Sequence, residues 1–181
     1  MTAIDCFLLE PTDRAARYLR RYRSTAAGET HYHSAMTRVG DAAAKSPTRP
    51  AEPDEYQDEH WPAACECGEP FADDDNWQIF HRTIYRRVDT GDELTLDDAP
   101  VGAMWYADWM LPQWAGPDGR CLMVKTPGGD WCIDGPATGG GRWQRSGVPP
   151  NATASPSIGK QSPDGGWLYH GWLRDGQLVD A

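Results

Sequence analysis

The segment HWPAACECGEPF, residues 60–71, holds the residue types best suited to chemistry. Cys65 and Cys67 stand one residue apart and are followed by Gly68, which suits a tight turn around a metal ion. Zinc takes about four thiolate, imidazole or carboxylate ligands in a tetrahedron. Cys65 and Cys67 could supply two of them, and His60 and His81 could supply others, as could His31, His33 or Cys6. The spacing is not that of a C-x-x-C knuckle and no second pair follows, so ordinary thiols are the competing reading.

A second constellation lies in the tail. Ser157, His170 and an acid such as Asp134 are the types that make a nucleophile, a base and an orienting group. No G-x-S-x-G elbow supports a hydrolase, and a single histidine on a strand is more often a hydrogen-bonded structural residue. Gly139-Gly140-Gly141 lacks a following Lys-Ser/Thr and is not a phosphate loop. Cys121 and Cys132 fall on opposite strands of an expected hairpin with apolar neighbours, where core packing is the favoured role. The nine tryptophans are Trp61, Trp77, Trp105, Trp109, Trp114, Trp131, Trp143, Trp167 and Trp172. Exposed, such side chains anchor partners or stack on sugars; in a small domain most are expected in the core. On the strand Trp167–Leu173, Trp172 is expected in the core with His170 on the same face, where Ser157 could hydrogen-bond it; exposed, Trp172 and His170 are the candidates for a binding surface.

These residues need elements to hold them. Asp5–Leu9 reads as a first strand. Thr12 can cap a following helix, with Asp13 at its positive end. Ala15, Tyr18, Leu19 and Tyr22 fall at i, i+3, i+4 and i+7, and five arginines between 14 and 23 fill the rest, predicting an amphipathic helix. His31-Tyr32-His33 suits a short strand. Residues 40–59, rich in Pro, Ala and acid, read as a mobile loop.

Beyond residue 76 the pattern turns to strands. Trp77–Val88 and Glu93–Leu96 flank a turn at Asp89-Thr90-Gly91-Asp92, and residues 97–111 suggest a short helix. Arg120–Lys125 and Asp130–Ile133 flank Thr126-Pro127-Gly128-Gly129. Residues 135–165 read as loop. The last hairpin pairs Trp167–Leu173 with Gln177–Val179 around Arg174-Asp175-Gly176.

With 181 residues the chain suits one domain, or one domain with an N-terminal arm. Its net charge of −10 disfavours general binding to nucleic acid and docking on anionic membranes. The acid is concentrated: residues 53–75 hold nine Asp and Glu and no Lys or Arg. The N-terminus lacks a basic n-region and no apolar run approaches a bilayer span, so a cytoplasmic protein of a bacterial cell, or a virion component, is expected. Five cysteines fit reduced thiols or a metal better than a disulfide framework.

The tail SPSIG…YHGWLRDGQL resembles a C-terminal signature of uncharacterised phage and bacterial proteins, in which a Pro-Ser-Ile segment precedes a His-Gly-aromatic-Leu strand and a Gly turn. The matching residues are Pro156, Ser157, Ile158, His170, Gly171, Trp172, Leu173 and Gly176. EPTDRAARYLRRYR, CECGEPFADDDNWQ, TIYRR and GAMWYADWM are likewise similar to stretches of phage proteins from actinobacterial hosts. Some bacterial proteins with this tail lie beside ubiquitin-like conjugation genes and carry cysteine-rich segments suggestive of metal. This chain lacks a cysteine near the C-terminal histidine, and residues 138–150 hold neither Cys nor His. Only Cys65 and Cys67 carry over.

The sequence therefore predicts an α+β, β-rich fold of small antiparallel sheets with an N-terminal amphipathic helix and long loops. Residues 1–39 form the strand and helix region, 40–59 the loop, and 60–181 a β-rich domain. The function expected is that of a phage-type accessory protein, a non-enzymatic interaction module with a protein partner and possible zinc stabilisation. The alternatives are a metal-assisted, hydrolase-like enzyme and a virion structural protein.

Overall fold

The computed structural model describes residues 3–23, 33–56, 63–72, 75–137 and 141–181. His31, Tyr32, His60, Trp61, Gly139 and Gly140 lie outside the described residues. The chain divides into two compact units. The larger comprises Met1–Pro11 and Tyr85–Ala181, and the smaller Thr12–Ile84.

The strands in chain order begin with β1 (Ala3–Asp5), β2 (Phe7–Tyr22), β3 (Ser34–Ala42), β4 (Arg49–Pro50) and β5 (Asn76–Arg87). Next come β6 (Glu93–Leu94), β7 (Ala103–Tyr106), β8 (Leu122–Thr126) and β9 (Gly129–Cys132). The last are β10 (Gln144–Ser146), β11 (Thr153–Gln161), β12 (Trp167–Arg174) and β13 (Gln177–Asp180). The only helical turns among the described residues are single 3-10 turns at Pro53–Glu55 and Pro112–Trp114. No helix among the described residues is long and apolar enough to cross a membrane.

In the larger unit an antiparallel sheet runs β1-β13-β12-β11-β10. A second set pairs the start of β2 parallel to β7 and continues antiparallel through β8 to β9. Met104, Leu122, Val124 and Ile133 of the second set pack with Ile158, Tyr169, Leu173 and Leu178 of the first. Each fully buried aliphatic side chain contributes about 1.5–3 kcal/mol. Phe7, Leu9, Tyr85 and Trp105 form a further cluster.

The last hairpin has the expected strands, with Trp172 opposite Val179 and Arg174 opposite Gln177. Asp175 and Gly176 take φ of 46° and 78°, as a two-residue turn matching the strand twist requires. Tyr169 and Leu173 face the core, while Trp172, expected as a core residue, is half-buried on the other face. The guanidinium of Arg174 covers its ring at 4.7 Å. Of the other tryptophans expected in the core, Trp105 is fully buried. Trp77, Trp114, Trp131 and Trp143 are half-buried, and Trp109 and Trp167 are exposed.

The N-terminal amphipathic helix does not form; Pro11–Tyr22 continues β2 as a strand. In the smaller unit Ala15–Tyr22 pairs antiparallel with Ser34–Ala42, with a bulge between Arg17 and Tyr18. Both faces of this strand are covered, so its apolar residues show no clean two-residue alternation. Tyr18 stacks on Phe80 at 5.4 Å. Arg20 lies over Tyr22 and Phe80, and Arg21 over Phe71 and Trp77. Of the five arginines in this segment, Arg20 and Arg21 thus cap aromatic rings, while Arg14, Arg17 and Arg23 pair with Asp41, Glu55 and Glu69.

The short helix expected in residues 97–111 is also absent. Gly102 takes φ of 96°, and a side chain there would press on the carbonyl of Asp5. Ala103–Trp105 then enters β7 buried on both faces, the pattern of a central strand. Residues 135–165, expected as loop, carry β10 and β11; Pro156 sits where the β11–β12 register shifts, so its missing N–H breaks no ladder bond. Within the segment read as a mobile loop, residues 40–42 close β3 and Arg49–Pro50 forms β4. Arg49 grips Glu55 through two hydrogen bonds of 2.6 and 2.7 Å.

A buried ion pair ties the larger unit together. Asp134 accepts from the backbone N–H of Leu122 at 2.8 Å and from Arg145 Nε at 3.0 Å. Both side chains are almost wholly buried. Replacing Asp134 with Ala should destabilise the protein by about 3–5 kcal/mol, because Arg145 is left charged and buried. Chemical denaturation checks this, and the double change Asp134→Leu with Arg145→Met should cost less than Asp134→Ala alone.

Candidate metal centre and aromatic cleft

Two strand ends and one tight turn build the metal candidate in the smaller unit. Arg23, just beyond β2, donates its N–H to the carbonyl of His33, which directly precedes β3. This places His33 at the end of the β2–β3 ladder, where its side chain is buried. Residues 63–71 fold back on themselves. Phe71 N–H donates to the Ala63 carbonyl, Cys65 N–H to Glu69, and Gly68 N–H to Cys65. Gly68 takes φ of 91°, which an L side chain would resist. The knuckle is fastened to β2 by Arg21, which donates to the carbonyl of Ala72 at 2.8 Å, and by the Arg23–Glu69 ion pair at 3.4 Å.

The result is a cluster of His33, Cys65 and Cys67 whose donor atoms lie within 4.8 Å of one another. Cys67 Sγ is 3.4 Å from His33 Nδ1. Zinc bonds of about 2.0 Å to nitrogen and 2.3 Å to sulfur set ligand separations of roughly 3.3–3.8 Å in a tetrahedron. The three atoms are therefore close to a metal-binding arrangement before any ion draws them together.

The structure gathers Cys65 and Cys67 with His33 and leaves His81 out. His81 lies on β5 half-buried, with Nδ1 buried and without a hydrogen-bond partner among the described residues. His60 and His31 lie outside the described residues. Cys6 belongs to the larger unit, where burial pushes its thiol up to about 12.

The larger unit presents the other candidate, a cleft of about 350 Å³ lined by Trp143, Ser157, Gln161, Trp167 and His170 among others. Ser157 and His170 meet there, with Oγ 3.3 Å from Nε2. No carboxylate among the described residues is hydrogen-bonded to His170. Asp134, the acid considered for a triad, is occupied by Arg145 and the Leu122 N–H. The pair thus lacks the third group that would orient the imidazole as a base.

Aromatic packing dominates the cleft instead. Trp167 stacks on His170 at 4.9 Å and 18°. Its indole lies over Gly159, where any side chain would press on the ring. His170 in turn stands 6.1 Å from Trp172. Trp143 donates to the Ser157 carbonyl at 3.4 Å and meets Trp131 edge to face. No Lys, Arg, Asp or Glu lines the cleft among the described residues.

Beside the cleft sits a charge network that sequence reasoning missed. Arg145 extends from Asp134 to Asp118, which it grips at 2.6 Å, and Tyr106 donates to Asp118 at 2.7 Å. Burial pulls the Asp118 carboxyl upward, yet these hydrogen bonds outweigh it and hold the group well below the usual carboxylate range. Burial opposes the charge of Arg145, but its two carboxylate partners keep it firmly protonated. Arg145 stands among Gly, Pro and Ser, and nothing in its neighbours' spacing marks it as buried.

No protein-family model, no curated protein and no solved structure matches the chain.

Metal analysis should find about one zinc per chain after purification without chelators. Cobalt loading should give thiolate-to-cobalt absorption, lost in Cys65→Ser with Cys67→Ser. That double change should also cost several kcal/mol, since metal binding is part of folding free energy. Zinc-free protein whose melting is unchanged by the double substitution would refute the site.

Acid should weaken both units. The Glu55 carboxyl is lowered to about 2 by its hydrogen bonds from Arg49 and the Glu52 backbone, and Asp118 lies lower still than its usual range. A carboxyl with a folded pKa below its unfolded value near 4 stabilises above that value and loses its contribution as pH falls. Stability should hold from pH 7 to about 5 and decline between about 4 and 2. Asp118→Asn should flatten part of that decline in pH-dependent denaturation.

Proposed function

We propose that this chain is a non-enzymatic, phage-type accessory protein that binds a partner protein through the aromatic cleft of its larger unit, with zinc as a structural clip in the smaller. One observation carries the reading. Trp167 is 59% exposed although its ring is held between Gly159 and His170. A rigid, exposed aromatic loses little conformational freedom on docking and offers a large apolar area. Leu168 beside it is 50% exposed. The net charge of −10 argues against a polyanionic partner. The cleft's uncharged lining favours apolar and neutral polar contacts.

A photoreactive amino acid at Leu168 tests this in extracts of infected cells. It should give a discrete protein adduct that is absent when the probe replaces Val148, which is 76% exposed elsewhere in the unit. Trp167→Ala should abolish the adduct while changing stability by less than about 1 kcal/mol, as expected at an exposed position. Identical labelling from both positions, or an adduct that survives Trp167→Ala, would overturn the assignment.

The runner-up is a metal-assisted enzyme, and one feature favours it. Among the described residues His33, Cys65 and Cys67 supply three donors, the number a catalytic zinc takes from protein. Cobalt-loaded protein separates the readings. A visible spectrum that shifts on adding azide marks an exchangeable ligand and supports the enzyme. An unmoved, tetrahedral spectrum supports the structural clip.

A further inference from the structure

Cys121 and Cys132 were expected to pack as small hydrophobes; Cys121 is buried in the core and Cys132 is half-buried beside it. In the β8–β9 ladder Cys132 lies opposite Met123. Cys121 is two residues before Met123, so it is the diagonal neighbour of Cys132 on the same face. Their sulfurs approach to 3.1 Å. Cys121 stands one residue outside β8, where the ladder does not hold it at both sides. Gly135 lies against Cys132, and a side chain there would crowd its sulfur at 3.2 Å. The two thiols thus lie side by side, with Gly135 leaving room at the Cys132 sulfur.

We propose that Cys121 and Cys132 form a thiol–disulfide exchange site, closed to an intrachain disulfide by a low-molecular-weight disulfide such as oxidised glutathione and reopened by thiols. The two sulfurs have unequal roles. Cys132 is half-buried and Cys121 buried. Burial, with the Cys132 thiol alongside, pushes Cys121 up to about 12. Cys132 is therefore the attacking group and Cys121 the resolving one.

The Cys132 thiolate attacks one sulfur of the glutathione disulfide. This forms a mixed disulfide and releases one glutathione thiolate, which takes up a proton. Cys121 then gives up its proton and attacks Cys132 Sγ, expelling the second glutathione, which is protonated in turn. Two protein thiols are oxidised by two electrons, and one glutathione disulfide is reduced to two thiols. The new bond would close a ring around the β8–β9 hairpin, beside the Asp134–Arg145 pair, and so stiffen the larger unit when the protein leaves a reducing compartment.

Tryptic mapping reads this directly, because Arg120, Lys125 and Arg142 release Cys121–Lys125 and Thr126–Arg142 as separate peptides. Native full-length protein treated with oxidised glutathione and then alkylated should give these two peptides joined, and dithiothreitol should separate them. Cys121→Ser should accumulate glutathione on Cys132, whereas Cys132→Ser should leave Cys121 free to alkylate. The oxidised wild type should melt at a higher temperature than the reduced form, a difference absent in either variant. Full alkylation of Cys121 and Cys132 after oxidation that modifies the exposed Cys67 would overturn the proposal, as would pairing of either residue with a different cysteine.

Discussion

Asp134 brings a negative charge into the interior of the larger unit, and much of the surrounding chain is arranged to answer it. Its carboxylate takes the Leu122 N–H at the start of β8 and Arg145 Nε from β10. Its own carbonyl accepts from Arg142. Arg145 then reaches Asp118 and the Arg120 carbonyl in the preceding loop. Gly116 passes so close that any side chain there would strike both Arg145 and Asp134. An ion pair in this position adds little net energy over an apolar pair, since desolvation consumes most of the attraction. It adds direction. Hydrophobic contacts between Leu122, Ile133 and the facing sheet would tolerate sliding, whereas the Asp134–Leu122 bond and the Arg145 fork allow one register.

That constraint explains which parts of the fold were legible in the sequence. The β12–β13 hairpin was readable because its information is local: Asp175-Gly176 can take positive φ, and the strands on either side alternate. The β8–β9 hairpin was readable for the same reason, with Pro127-Gly128 at its turn. β10 was not. Its three residues, Gln144–Ser146, carry no pattern, and what holds Arg145 is a carboxylate eleven positions earlier. β2 failed for a related reason. Arginine counts as polar in any periodicity, but Arg20 and Arg21 are half-buried against rings supplied by residues 71–80. A helical face of Ala15, Tyr18, Leu19 and Tyr22 was the only order visible until those rings were in place.

The candidate sites divide along the same line. Cys65 and Cys67 were visible because two donors in three residues are local, and Gly68 marks the turn beside them. His33 was one of several histidines of equal standing. Its selection depends on the β2–β3 ladder, which sets it beside the knuckle, whereas His81 on β5 falls outside the cluster. The pairing of Ser157 with His170 followed from two motifs expected to adjoin, and the β11–β12 register, with Gly159 opposite His170, supplies the reason. Alternation sets Trp167 on one face with Tyr169 and Leu173, and the structure buries Tyr169 and Leu173 while leaving Trp167 exposed. At the end of its strand, next to the β11–β12 register shift between Lys160 and Gln161, alternation no longer determines which way a side chain points.

The cleft differs from its surroundings in how its polar groups are partnered. His170 has the Ser157 hydroxyl on Nε2 and an indole stacked on its face, and no carboxylate among the described residues is hydrogen-bonded to it. The strongest carboxylates nearby are already committed. Asp134 is saturated, and Asp118 is held by Arg145, Tyr106 and the Arg120 N–H. The larger unit thus spends its charges on fixing its own geometry and leaves the cleft with rings and neutral polar groups. Such a surface offers shape and apolar contact, and the Asp134–Arg145–Asp118 network fixes β10, the strand paired to β11, several of whose residues line it.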